Sequence, residues 1–174
     1  AVENHFDIRA AFYQELVYLD WRAYLIVLKK DSDKYRSLDT GNDSVIFKFS
    51  LFKLLVDRLR KRKDESNHLV FENIALQGQS LESIISDLHS TLKDVLTFTS
   101  EVKGKEEINL STIDYINYVV YKILSSPNRD VRMEQNYKLL ASKIALVHFP
   151  HNSVYLSRNN DGINVKELKS QWRS

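Results

Sequence analysis

Apolar positions along this chain fall into two kinds of pattern, helical spacing and short continuous runs, and the two alternate. Residues 7–19, DIRAAFYQELVYL, set Ile8, Phe12, Leu16 and Val17 on one side of a helix that Asp7 can cap. Within 21–30, the run from Tyr24 to Leu28 is almost unbroken apolar sequence, which suits a strand covered on both faces. A polar loop with a Gly-Asn turn signal follows over 31–44, then a long helix over 45–63 that ends in basic residues. HLVFENIAL (68–76) predicts a second buried strand and QGQS a turn. Leu81, Ile84, Ile85, Leu88, Leu92, Val95 and Leu96 are in helical register over 81–98, with Ser80 placed as N-cap. A turn and short strand are expected over 101–110, and a helix over 108–124 on Ile113, Ile116, Val120, Ile123 and Leu124. The spacing predicts one more helix over 130–149, stopped by Pro150, then an Asn-Asp-Gly turn and a polar, frayed tail.

Strands separated by helices imply an α/β layered domain, with a mixed, largely parallel sheet flanked by helices. No internal repeat, low-complexity tract or linker interrupts the pattern. The expectation is one α/β domain over 1–150, with a C-terminal turn and polar tail over 151–174.

Composition narrows the function classes. The chain has 174 residues, 43% hydrophobic and 28% charged, which is ordinary for a globular domain. Its 25 basic residues balance 23 acidic ones to a net charge of +2, so bulk charge gives no argument for nucleic acid. The absence of cysteine excludes disulfides and thiol chemistry. No apolar run reaches the roughly eighteen residues of a membrane span. The start, AVENHFDIRA, lacks the features of a signal peptide and an initiator Met, so a cytoplasmic and processed or trimmed chain is expected.

Chemistry then rests on a few side chains, each with two readings. Ser111-Thr-Ile-Asp114 fits the capping-box pattern, and an acid at a helix start suits its dipole. Asp114 could equally project toward the sheet and hold a hard cation such as Mg²⁺ or Mn²⁺. Glu72 sits mid-strand with Val70 and Ile74 on its face, where an ionised carboxylate is costly unless paired or ligating. The plain alternative ends the strand near Phe71 and leaves Glu72 in solvent. The basic run 58–63, with Arg58, Arg60, Lys61, Arg62 and Lys63, can contact phosphates or simply form a solvated helix end. The five histidines (His5, His68, His89, His148, His151) show no ligand spacing, and His148 and His151, straddling Pro150, are expected in a loop. With four glycines the chain has no phosphate-cradling loop, and no Gly-x-Ser-x-Gly elbow occurs.

The order of these segments over about residues 5–150 resembles the bacterial and phage domain-of-unknown-function family 3800. Its Leu-Gln-x-Ala-Asp-Tyr helix start is represented by Leu110-Ser111-Thr112-Ile113-Asp114-Tyr115, in which Leu110, Asp114 and Tyr115 match. The resemblance implies an RNase H-like fold and a Mg²⁺- or Mn²⁺-dependent nuclease-type domain, a phosphodiester hydrolase, of phage-defence or mobile-element type. It implies that Asp114 is a catalytic metal ligand, with Glu72 near the family's acidic position on a central strand. The family opens with a strand bearing Asp-Glu-Ser-Gly, which is missing here. The expectation is therefore a fragment whose first strands were cut or encoded apart, or a degenerate member. A sheet lacking that strand exposes an edge. The implied partners are nucleic acid and, through that edge, a second copy or another chain. The alternative function is a catalytically incomplete interaction module.

Overall fold

The computed structural model describes residues 6–38, 41–59, 65–94, 96–104, 106–128, 130–159 and 161–174, without the side chains of 6–9 and 57–59. Its elements are α1 (Phe6–Leu16), β1 (Ala23–Ile26), α2 (Asp33–Leu38), α3 (Asp43–Leu59), β2 (Asn67–Glu72) and α4 (Leu81–Leu92). They continue with β3 (Phe98–Lys103), α5 (Ile108–Ser125), α6 (Val131–Leu140), β4 (Ile144–Phe149), β5 (Val154–Ser157) and α7 (Val165–Arg173). The class is α/β, as the pattern implies. The chain divides into two compact units, one of residues 1–28 with 114–174 and one of 29–113. The strands pair as two separate sheets.

In the first unit β4 is the central strand of three. It runs parallel to β1, with Leu25 opposite Val147, and antiparallel to β5, with Val147 opposite Leu156. Five of its six residues are buried and Ala145 is half-buried. This is the main correction to the predicted helix over 130–149: the helix α6 stops at Leu140, and the rest turns and becomes a strand. A central strand covered on both faces has no reason to alternate, so IALVHF carries no period-two signal. His148 belongs to this strand, buried and stacked on Tyr155 at 3.9 Å, and is not a loop residue. His151 lies beyond the strand and binds the Gln171 carbonyl through Nε2 at 2.9 Å.

The core of this unit gathers Tyr13, Val119, Ile123, Tyr137, Leu140 and Phe149. Tyr137 donates to the Ile163 carbonyl at 2.7 Å, and burial pushes its phenol well above the usual tyrosine range. The tail expected to fray holds β5 and α7 instead. Asn164 accepts from the Glu167 amide at 2.9 Å while the Glu167 carboxylate accepts from the Asn164 amide at 3.4 Å, a reciprocal cap. Leu168 is fully buried and Trp172 packs on the core, so the helix gains apolar burial that its polar sequence hides. Asn164→Ala is expected to cost about 1 kcal/mol. A urea titration followed by tryptophan emission measures it, since both tryptophans, Trp21 and Trp172, lie in this unit.

In the second unit β2 and β3 run parallel, with Leu69 opposite Ser100 and Glu72 opposite Lys103. The crossover is α4, whose Leu81, Ile84, Ile85, Leu88 and Leu92 are all buried and whose N-cap is Ser80, as the spacing predicts. The helix ends at Leu92, not at residue 98. Phe98 instead opens β3 and is buried there, stacked on His89 at 4.1 Å. The loop expected over 31–44 contains the short α2. Lys48 of α3 donates to Asp87 of α4 at 2.6 Å, and this contact holds the Asp87 carboxyl below the usual range. Among the described residues no helix is long and apolar enough to cross a membrane.

Candidate functional site

Glu72 closes β2 and is half-buried, so the strand does not end at Phe71. Period two places His68, Val70 and Glu72 on one face, beside Thr99, Glu101 and Lys103 of β3. The register makes a polar network there that no single segment announces. His68 binds Thr99 Oγ1 through Nδ1 at 2.7 Å and Glu101 Oε1 through Nε2 at 3.0 Å. Lys103 Nζ lies 3.1 Å from Glu101 Oε2, so both oxygens of that carboxylate are engaged. The bond from His68, then that from Lys103, holds the Glu101 carboxyl below the usual range, and Glu101 raises Lys103 in turn. Glu72 itself makes no hydrogen bond or ion pair among the described residues.

Beside this face a groove of about 390 Å³ runs along β2. Phe47, Leu51 and Leu55 of α3 line it, as do Leu110 and Ile113 from the first turns of α5. Glu72 and Ile74 line one end.

Asp114 is exposed and lies in the second turn of α5, which starts at Ile108. The capping box expected at Ser111 is therefore absent: Ser111 is inside the helix, and Glu107 accepts from the Asn109 amide at 3.3 Å instead. The apolar Ile108 at the helix start, three-quarters exposed, masks the true boundary in the sequence. Ile113 is the last residue of the second unit and Asp114 the first of the stretch that belongs to the first, so Glu72 and Asp114 fall in different units. Among the described residues no three or more His, Asp or Glu side chains group as a metal site. Of the basic run, Arg58 falls in α3, whereas Arg60, Lys61, Arg62 and Lys63 lie outside the described residues.

Other cations converge where the sequence gives no cluster. A groove of about 770 Å³ in the first unit, between α6 and α7, is lined by Lys138, Lys166, Lys169 and Arg173. Lys169 lies 3.5 Å from Glu134. The spacing Lys166, Lys169, Arg173 places these three on one side of α7, a signal that becomes legible once that tail is known to be helical.

No protein-family model, curated protein or solved structure matches the chain. The class these observations define is an α/β protein of two compact units.

Proposed function

We propose that this chain is an RNase H-like, metal-dependent nuclease-type domain, a phosphodiester hydrolase acting on nucleic acid. One observation carries the reading: Glu72 is a half-buried carboxylate without a partner among the described residues, at the carboxyl end of a strand in a parallel β–α–β unit. Open α/β sheets bind their ligands in the crevice outside the carboxyl ends of their strands. The order β2, α4, β3, α5 supports the same reading, with Asp114 on the helix that follows the second strand. Glu72 and Asp114 are each a candidate ligand for a Mg²⁺ or Mn²⁺ ion, hard cations that take carboxylate oxygens. When bound, such an ion activates water and offsets charge on the phosphate. The chain's own part is to hold the carboxylates, and Glu72 has its position from the β2–β3 ladder.

The test is cleavage of end-labelled single-stranded and duplex DNA and RNA with Mn²⁺, against the same reactions in EDTA. Glu72→Gln and Asp114→Asn are each expected to slow metal-dependent cleavage by at least about a hundredfold. An inert parent, or variants that cut as the parent does, would contradict the proposal. A second reading, a catalytically incomplete interaction module, is favoured by the apolar groove along β2.

A further inference from the structure

The groove beside β2 has backbone as well as apolar walls. Asn73 donates its amide to the Lys103 carbonyl at 2.8 Å, so the odd-numbered residues of β2 face β3. The even-numbered residues, His68, Val70 and Glu72, therefore aim their N–H and C=O groups away from β3, and all three line the groove. No backbone partner meets them among the described residues. A strand edge with free donors and acceptors is a template for another strand. Three of the devices that blunt such an edge are missing here: β2 carries no proline, no bulge and no lysine. Val70 remains 36% exposed and Ile113 50% exposed beside it.

We propose that this groove binds one extended segment of a different polypeptide, added as a strand to the β2 edge. The walls state its chemistry. An added strand alternates its side chains between the two faces of the sheet, and the side chains of Phe47, Leu51, Leu55, Leu110 and Ile113 that line the groove are all apolar. The segment is therefore apolar at successive positions, like an interior strand. Charge complementarity fixes one end. The carboxylate of Glu72 lines the groove without a cation among the described residues, so the segment brings a lysine or arginine to it. A second copy adding its own β2 fits less well, because Asn67–Glu72 carries no lysine or arginine to bring to Glu72.

This proposal asks nothing of metal or nucleic acid, and a cation brought to Glu72 would take the place of a metal ion there. The two readings compete at Glu72, and peptide binding without metal tells them apart from metal-dependent cleavage.

The probe is a blocked, fluorescein-labelled peptide, Lys-Val-Ile-Val-Ile-Thr-Lys, with a lysine at each end so that either chain direction places a cation at Glu72. Two backbone-methylated forms accompany it, one methylated on each alternate set of amides. Saturable binding is expected by fluorescence anisotropy, weakened at least about tenfold by methylation of one set and unchanged by the other. Val70→Pro removes an amide that the β2–β3 ladder does not use, so it is expected to weaken binding by about the same factor with the β2–β3 sheet intact. Leu51→Asp, which charges a wall, does the same. Three results would overturn the proposal: no saturable binding, equal binding of both methylated forms, or self-association in sedimentation that Val70→Pro abolishes.

Discussion

Replacing Phe149 by alanine is expected to lower the stability of the first unit by about 3–5 kcal/mol. Phe149 is fully buried at the end of β4, the strand that holds the three-stranded sheet together. Its ring meets that of His151 edge-on at 5.8 Å and belongs to the same core as Val147, Leu140 and Leu168. Truncation removes the ring's burial and leaves a cavity that a central strand, paired on both edges, relaxes into poorly. Trp21 and Trp172 both report on this unit, so their emission in a urea titration reads the loss directly. A cost below 1 kcal/mol would place Phe149 outside the core and contradict the strand assignment.

Gly162→Ala is the second large effect. Gly162 sits at φ +85° in the turn before α7, and its amide donates to the Asn159 carbonyl at 3.1 Å. A residue with a Cβ in that conformation costs about 1–2 kcal/mol on backbone grounds alone. Here the Cβ would also stand 2.6 Å from the carbonyl carbon and oxygen of Ala141 and 2.8 Å from its Cβ. Two of those three atoms are backbone and cannot rotate away, so the turn or the end of α6 must shift. The expected total is about 3 kcal/mol, equivalent to roughly 6–12 °C in the melting temperature of a protein this size. Wild-type stability in Gly162→Ala would mean that the turn does not pack on Ala141.

Much of the fold was legible because local pattern and tertiary demand agree. The five buried positions of α4 are those that a helical period selects, and Ser80 caps it as its side chain suggests. The Asn-Asp-Gly turn was readable because only glycine takes the left-handed angle at residue 162 cheaply. The apolar run at Tyr24 became β1. Reading failed where burial on every side erases the period. Leu139 to Val147 keeps helical spacing through a boundary that carries neither glycine nor proline, and only the pairing of β4 with β1 and β5 decides it. The polar α7 was missed for the opposite reason. It buries little, and its stability comes from a reciprocal cap and the apolar contacts of Val165, Leu168 and Trp172.

The candidate site was legible in part. Glu72 was visible as a costly carboxylate in a strand, and its half-burial without a partner fits that reasoning. The network of His68, Glu101 and Lys103 beside it was not, because it depends on the register of two strands some thirty residues apart. Asp114 was misplaced within its helix: Ser111 resembles a cap, but Leu110 is already buried in the helix. The groove along β2 joins α3, β2 and the start of α5, three segments whose convergence no local spacing encodes.

The most direct measurement is a calorimetric titration of the chain with Mn²⁺, run beside Glu72→Gln and Asp114→Asn. Saturable binding in the parent that each substitution abolishes is the expected result, with circular dichroism of both variants matching the parent. No binding in the parent, or binding that survives both substitutions, would contradict the assignment of these carboxylates to a metal-dependent nuclease site.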